Sequence, residues 1–103
     1  MDYYVYILQC NDNSYYTGIT NDIDRRLAEH NDGQDSRCYT YNRRPCKLVF
    51  ADEFPTAIEA ITVEKQIKGW RRAKKEALIQ GDFDTLIGLS KSLNVFSERS
   101  QSV

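Results

Sequence analysis

The stretches "YVYILQC" (residues 4–10) and "YYTGIT" (residues 15–20) stand close together near the start of the chain, separated only by "NDNS". Both are rich in tyrosine and β-branched or aliphatic residues, which favour β-strands. The asparagines and the aspartate between them tolerate turn conformations. The pattern therefore predicts two antiparallel strands joined by a tight hairpin.

The register of this hairpin decides which tyrosines lie together. Side chains alternate along a strand, so Tyr6 and Tyr16 share a face only if the numbers of facing residues have an even sum, as with Leu8 opposite Tyr16. A loop of odd length, such as residues 11–13, gives that register. We expect Tyr6 and Tyr16 to share a face if they serve one site.

A helix is predicted after the hairpin, because Ile23 and Leu27 in "NDIDRRLAEH" are four residues apart. Thr20 or Asn21 is expected to cap its start. The polar segment of residues 31–44 is predicted to be an exposed loop. "CKLVFAD", residues 46–52, is predicted to be a third strand.

A second helix is predicted to begin after Pro55, where Thr56 and Glu59 have the spacing of a capping box. Its apolar stripe consists of Ala60, Val63, Ile67 and Trp70. A basic helix, "RRAKKEALIQ", is expected to follow a kink at Gly69 and to stop at Gly81. Asp82 is expected to cap a last short helix.

These elements follow the order β-β-α-β-α-α-α, which indicates an α+β fold with a small three-stranded antiparallel sheet flanked by helices. A chain of 103 residues is long enough for one domain. We expect that domain to cover residues 1–93 and residues 94–103 to form a polar, flexible tail.

The composition favours a cytoplasmic protein. No apolar run approaches the roughly 20 residues of a membrane span, and no Lys or Arg precedes Arg25, so no secretory signal is evident. The cysteines are odd in number and form no CxxC pair, which indicates free thiols in a reducing compartment. They are Cys10, Cys38 and Cys46.

The net charge of −1 conceals a basic stretch, because residues 37–75 hold ten bases and four acids, a local charge of +6. Such a stretch is typical of a phosphate-binding face, although a solvated helix surface gives the same pattern. The candidate DNA-backbone contacts are Arg43, Arg44, Lys68, Arg71, Arg72, Lys74 and Lys75. Tyr39 and Tyr41 either stack on unpaired bases or lie on the surface as ordinary loop residues.

Helical spacing also marks three charged or titratable residues at the edge of the core. Arg26 and His30 are four apart and flank the apolar pair of the first helix, and arginine is seldom buried without a partner. Glu64 lies at the margin of the apolar stripe of the second helix. Each has a structural alternative: a snorkelling arginine, a half-buried histidine, and a surface pair of Glu64 with Lys68.

These residues together resemble the GIY-YIG nuclease superfamily, in particular its small, standalone bacterial branch, and the chain is also similar to the N-terminal catalytic domain of the repair nuclease UvrC. Residues 4–6, Tyr-Val-Tyr, match the first family motif, and residues 16–18, Tyr-Thr-Gly, match the second. The catalytic arginine of the family falls at Arg26, the histidine at His30, and the metal-binding glutamate at Glu64. The resemblance covers about residues 2–80.

The resemblance implies hydrolysis of a DNA phosphodiester with one divalent cation, Mg²⁺ or Mn²⁺, held by Glu64. Arg26 would face the phosphate with its planar donor fork, and Tyr6 or Tyr16 would be the general base, assisted by His30. The sequence leaves the choice between the two tyrosines open.

Two alternatives remain on the same fold. One is a nucleic-acid-binding module that cuts weakly, and the other is a protein-interaction domain. The nuclease is favoured because the motif residues are intact. DNA repair, recombination or processing is the expected setting. The sequence does not exclude RNA as a substrate.

Overall fold

A computed structural model describes residues 2–82 and residue 84 of the chain. Three strands, β1 (Tyr3–Gln9), β2 (Tyr15–Thr20) and β3 (Lys47–Phe54), form one antiparallel sheet in the order β2-β1-β3. The predicted α+β fold with a three-stranded antiparallel sheet is confirmed. β1 is the central strand, and its residues Val5, Ile7 and Leu8 are fully buried.

The hairpin between β1 and β2 has the predicted register, with Leu8 facing Tyr16 and Tyr6 facing Gly18. The backbone N–H of Cys10 donates to the carbonyl of Ser14 at 2.8 Å and closes a loop of residues 11–13. Asn13 ends that loop in the left-handed region, at φ 68°, which matches the strand twist of a three-residue hairpin loop. Tyr6 and Tyr16 therefore lie on the same face.

The first helix, α1 (Ile23–Asp32), packs on that face of the sheet. The predicted cap at Thr20 or Asn21 is wrong. Asp22 is the N-cap, and its side chain accepts a hydrogen bond from the backbone N–H of Arg25 at 3.1 Å. The Thr20 hydroxyl instead accepts from the N–H of Asp22, because β2 runs through Thr20 and the helix starts later than the periodicity suggested.

An apolar cluster lies between α1 and the sheet, and it includes Cys46, the residue before β3. Buried residues at their centre are Tyr6, Leu8, Cys10 and Cys46, and the partly buried residues packed against them are Tyr16, Ile23 and Leu27.

The segment between α1 and β3 is more ordered than the exposed loop that was predicted. It contains one turn of 3₁₀ helix, Tyr41–Arg43, and it buries Thr40 almost completely. The side chain of Asn31 anchors the far end of this segment, accepting from the Cys46 N–H at 2.7 Å and donating to the Cys46 carbonyl at 3.0 Å. A polar sequence can therefore form a fixed loop where its side chains replace the missing backbone partners.

The second helix, α2 (Ala57–Lys68), packs against the sheet. The Thr56 hydroxyl accepts a hydrogen bond from the backbone N–H of Glu59 at 3.2 Å, as expected for the first half of a capping box. The predicted stripe is confirmed for its residues within the helix, since Ala60, Val63 and Ile67 are buried. Trp70 lies beyond the helix end.

The chain divides into two units between Lys68 and Gly69. The second unit contains α3 (Arg72–Gln80), which ends at Gly81 with a left-handed φ of 73°, as predicted. At Gly69 the structure shows a break between α2 and α3 rather than a kinked continuous helix. The body of the predicted last helix after Asp82 and the predicted tail lie outside the described residues. No helix within residues 2–82 is long and apolar enough to cross a membrane.

The left-handed residue of the hairpin loop gives a test of this turn. Replacing Asn13 by Ala should lower the free energy of unfolding by about 1 kcal/mol, because a β-carbon disfavours this conformation, whereas Asn13→Gly should stay close to wild type. Both variants lose the weak contact between the Asn13 and Gln9 side chains. The difference between their free energies of unfolding therefore measures the cost of the left-handed backbone conformation. Equal stability of the two variants in urea unfolding would contradict the turn.

Candidate active site

Two tyrosines and the histidine of the chain converge on one face of the sheet. The Tyr6 hydroxyl lies 2.9 Å from His30 Nε2. The Tyr16 and His30 rings are in edge contact with centroids 5.0 Å apart, and the two tyrosine rings are 6.3 Å apart. The hairpin register places both phenols on the side that α1 covers, and His30 is the buried residue of that helix. Two distant stretches of sequence thus meet at one point.

Arg26, one turn before His30, joins the same group. Its guanidinium is close enough to the hydroxyls of Tyr6 and Tyr16 to act on the pKa of each, and Nη1 pairs with Glu29 Oε1 at 3.2 Å. The side chain is 35% exposed. Arg26 therefore places a positive charge near both phenols and remains open to a ligand in solvent.

A chain of hydrogen bonds continues from the other side of His30. Its Nδ1 lies 2.8 Å from Thr40 Oγ1, and the Thr40 hydroxyl donates to Cys38 Sγ at 3.4 Å. Sequence reasoning missed Thr40 and Cys38, because both lie in the segment that was predicted to be an exposed loop. No periodicity marks them, since they are placed by the loop and not by a helix or strand.

Burial and the Arg26 charge set the protonation of this group. Burial lowers the pKa of His30 to about 4, with a further decrease from Arg26, so the imidazole is neutral at pH 7. Burial also raises the pKa of Tyr6 to about 12, against the opposing effect of Arg26. The pKa of Tyr16 is likewise raised by burial, while Arg26 and Lys68 act to lower it. Both phenols are therefore protonated at pH 7.

The Cys38 thiol has a pKa below its usual value. Burial acts to raise this pKa, but hydrogen bonds with Thr40 and Tyr16 and the charge of Arg26 outweigh it. By contrast, burial next to Cys10 raises the pKa of Cys46 to about 12. All three cysteines are free thiols.

Gly18 makes room for the Tyr6 ring. A β-carbon at this position would lie 2.5 Å from Tyr6 Cζ, far inside van der Waals contact. Tyr6 is 2% exposed, and its ring is enclosed by the residues described above, so it has little freedom to move away. The glycine of the second motif is thus needed for the placement of the tyrosine of the first.

Tyr39 packs against Tyr16. Its ring is stacked on Tyr16 with centroids 6.2 Å apart and planes inclined by 21°. The Arg43 guanidinium lies 3.8 Å from the Tyr39 ring centroid and forms an ion pair with Asp12 at 3.0 Å. These contacts fasten the loop to the hairpin.

Arg44 has a similar structural role. Its guanidinium lies 4.6 Å from the Tyr41 ring centroid and donates to the Tyr41 carbonyl at 2.8 Å. The two predicted DNA-contacting arginines of this loop, Arg43 and Arg44, are therefore both engaged within the protein, as are the rings of Tyr39 and Tyr41.

Glu64 is connected to the group through Lys68. Its side chain is only 12% exposed, and Oε1 lies 3.3 Å from Lys68 Nζ. The Lys68 charge in turn acts on Tyr16. The structure thus brings Tyr6, Tyr16 and His30 into mutual contact, with Arg26 near the two phenols, and links Glu64 on α2 to this group only through Lys68.

A metal ion would have few protein ligands here. Within the described part of the chain, no group of three or more His, Cys, Asp or Glu side chains is arranged to hold a metal. Mg²⁺, however, is commonly bound by one or two carboxylates together with water and substrate phosphate. Glu64, a largely buried carboxylate whose partner is a cation, fits that mode of binding.

The remaining basic candidates belong to the second unit. Arg71 and Arg72 are exposed, and Lys74 Nζ lies 4.4 Å from the Trp70 ring centroid. Lys75 is partly buried, and burial lowers its pKa.

Comparison with known proteins gives a family match and similar relatives. Residues 2–77 match the model of the GIY-YIG catalytic domain. The chain is 43% identical over 79 residues to the UPF0213 protein YazA of Bacillus subtilis, which covers 77% of this chain and 79% of that protein.

Two solved structures are similar as well. One is the solution NMR structure of the UPF0213 protein BH0048 from Bacillus halodurans, with 45% identity, a TM-score of 0.52, and coverage of 78% of this chain and 84% of that one. The other is the solution NMR structure of the protein EF2693 from E. faecalis, with 32% identity, a TM-score of 0.57, and coverage of 81% and 88%.

The Gly18 contact predicts that Gly18→Ala displaces the Tyr6 ring. We expect a loss of about 1–3 kcal/mol in the free energy of unfolding, as for other overpacked sites, and a change in the His30 side-chain NMR signals.

Thr17→Val is the matched control on the same strand. The buried Thr17 hydroxyl has no hydrogen-bond partner among the described residues, and valine has nearly the same shape, so stability should be unchanged or higher. Unaltered His30 signals in Gly18→Ala would contradict the proposed role of the glycine.

Proposed function

Because the chain belongs to the GIY-YIG family, we propose that it is a divalent-metal-dependent endonuclease that hydrolyses phosphodiester bonds in DNA. The observation that carries this proposal is the contact network of Tyr6, Tyr16, Arg26 and His30, since these residues stand at the positions of the family motifs. DNA repair, recombination or processing in the cytoplasm is the setting we propose.

Arg26 would bind the scissile phosphate. A guanidinium has only donor groups, and its planar fork matches the oxygens of a phosphate. Its pair with Glu29 at 3.2 Å orients it, and its 35% exposure leaves donors free to reach DNA. A fixed positive charge at the phosphate also stabilises the negative charge that grows in the transition state.

A phenol would remove the proton of the attacking water. With a pKa of about 12, Tyr6 is almost fully protonated at pH 7, so it can act as a base only if its own proton leaves as the water proton arrives. The hydrogen bond between Tyr6 and His30 supplies an acceptor for that proton.

Glu64 would hold the divalent cation, Mg²⁺ or Mn²⁺. The low exposure of its side chain, 12%, supports this role, because a largely buried carboxylate favours a cation beside it; Lys68, at 3.3 Å, is the cation present there and is also the partner that a purely structural role expects. When bound, such an ion neutralises charge on the phosphate and on the leaving oxygen. The Lys68 side chain is 53% exposed, so its ammonium can leave Glu64 and contact the DNA backbone.

The basic residues of the second unit would contact the DNA backbone. Arg71 and Arg72 are exposed, and Lys74 and Lys75 follow within the same helix. Arg72 also pairs with Glu76 at 3.4 Å. We place Arg71 and Arg72 ahead of Arg43 and Arg44 because the first two are exposed, whereas the guanidiniums of Arg43 and Arg44 are partly buried and hold the loop.

Removing the carboxylate that would bind the metal tests the enzyme assignment. Glu64→Gln should lower the cleavage rate of DNA by about 10²- to 10³-fold, as is typical when one electrostatic contact of a transition state is lost. Stability should change by only a few tenths of a kcal/mol, because the lost pair with Lys68 is partly exposed.

Glu59→Gln is the matched control, since Glu59 is an exposed glutamate near the start of the same helix. The assay would use single-stranded, duplex and branched DNA with Mg²⁺, Mn²⁺ or chelator. Equal cleavage rates for Glu64→Gln and Glu59→Gln would show that Glu64 does not bind the metal. If the wild type binds DNA but shows no metal-dependent cutting, the protein is a binding module instead.

The salt dependence of DNA binding tests the basic surface. Each neutralised phosphate contributes about 0.9 to the slope of log affinity against log salt on duplex DNA. Arg71→Ala combined with Arg72→Ala should therefore reduce the slope by about 2. Arg37→Ala, which removes a highly exposed arginine of the loop, should leave the slope unchanged. The opposite pattern would move the DNA-binding surface to the first unit.

A further inference from the structure

We propose that Thr40 is a positioning residue that holds His30 as the Nδ1–H tautomer, so that His30 Nε2 accepts the proton of Tyr6 and Tyr6, not Tyr16, is the general base. This inference rests on the proposed function and adds to it the direction in which protons move through the site. It depends on the order of donors and acceptors from Tyr6 to Cys38.

The Thr40 hydroxyl fixes the tautomer because it has a single hydrogen to donate. Cys38 Sγ, 3.4 Å away, is the acceptor for that hydrogen, and the same sulfur lies 3.8 Å from His30 Nδ1. The Thr40 oxygen can then only accept at its 2.8 Å contact with His30 Nδ1, so Nδ1 must carry a hydrogen.

The protonation of the other imidazole nitrogen, Nε2, follows from that of Nδ1. A neutral histidine with its hydrogen on Nδ1 has a bare Nε2, which accepts from the Tyr6 hydroxyl at 2.9 Å. The Tyr6 hydroxyl has one hydrogen to donate to this nitrogen. The hydrogen bonds run from Tyr6 to His30, from His30 to Thr40, and from Thr40 to Cys38.

The reversed order would need Cys38 to donate. A thiol is a weak donor, and this sulfur is surrounded by the hydroxyls of Thr40 and Tyr16 and by the Arg26 charge, all of which favour an acceptor. The contacts with the imidazole separate the two tyrosines. Tyr6 is hydrogen bonded to His30 Nε2 at 2.9 Å, whereas the Tyr16 ring is in edge contact with the imidazole at 5.0 Å between centroids.

Burial makes this arrangement hard to replace by water. Tyr6, His30 and Thr40 are 2%, 4% and 1% exposed. A buried donor or acceptor that loses its partner costs about 1–3 kcal/mol. The order of hydrogen bonds is therefore a property of the fold and is present before DNA binds.

The proton balance in the hydrolytic step is as follows. As the water oxygen forms its bond to phosphorus, the water proton passes to the Tyr6 oxygen and the Tyr6 proton passes to His30 Nε2. The bond from phosphorus to the leaving oxygen breaks, and that oxygen keeps the electron pair and takes a proton from solvent. His30 then returns its extra proton to solvent through Tyr6.

A bound phosphate would favour this transfer. The Arg26 charge is the second cause, after burial, of the weak basicity of His30. A phosphate paired with Arg26 offsets that charge, so the imidazolium is stabilised when substrate is present.

The tautomer can be read directly, because His30 is the single histidine of the chain. In ¹⁵N NMR of the labelled protein at pH 7, the wild type should show a protonated Nδ1 and an unprotonated Nε2. Thr40→Ser keeps the hydroxyl and should keep this pattern. Thr40→Val removes the acceptor and should shift the population toward the Nε2–H tautomer.

Cys38→Ala gives an independent test that leaves Thr40 in place. Without the sulfur, the Thr40 hydrogen is free to turn toward Nδ1, and the spectrum should show a mixture of tautomers. A wild type with protonated Nε2, or variants Thr40→Val and Cys38→Ala that both retain the wild-type pattern, would overturn the tautomer assignment. If Thr40→Val does not fold, Cys38→Ala and Thr40→Ser decide the question.

Cleavage kinetics test the choice of base. Thr40→Val should lower kcat by about 10²-fold, the lower end of what general acid–base catalysis contributes, with little change in KM, and Thr40→Ser should restore most of it. Tyr6→Phe should lose more activity than Tyr16→Phe, and the reverse ranking would overturn the base assignment.

The failure of this inference is distinguishable from that of the proposed function. A wild type that cuts no DNA ends both the nuclease proposal and the base assignment, whereas the tautomer assignment is decided by the NMR spectrum alone.

Discussion

The hydrogen bond between Tyr6 and His30 is the contact on which the arrangement of this protein depends. It joins the central strand to α1 next to the apolar residues Leu8, Cys10 and Cys46, and the buried Thr40 hydroxyl completes it at the other nitrogen of the imidazole. Both partners are buried, so leaving either unpaired would cost more than the bond itself contributes. Several local features serve this one contact: the register of the hairpin, the absence of a side chain at Gly18, and the place of His30 on the covered face of α1.

The sequence was most informative where a regular period fixes the direction of side chains. The odd-length loop gave the shared face of Tyr6 and Tyr16, and helical spacing marked Arg26 and His30 as neighbours at the core edge; the structure has both. The predicted GIY-YIG membership is confirmed by the family match over residues 2–77. The catalytic roles of these residues stay predictions, as does the metal at Glu64.

The sequence was least informative in the segment between α1 and β3. Polar residues there suggested exposure, but Thr40 is buried because His30 needs a partner for its second nitrogen. That demand is created by the tertiary structure and has no local signature. For the same reason a count of charges could not separate Arg43 and Arg44, which bind the loop, from basic residues that are exposed. The cap at Asp22 was missed by one or two residues, since β2 continued further than expected.

The position of Cys38 has a practical consequence for handling the protein. The other two cysteines are buried, whereas this one is partly accessible, and its pKa is lowered among the groups proposed to move protons. Thiolates are the form that reacts with alkylating agents and peroxides. Purification without reductant therefore risks oxidation or alkylation of Cys38 inside the candidate active site. The same selectivity makes Cys38 a suitable residue for attaching a spectroscopic label.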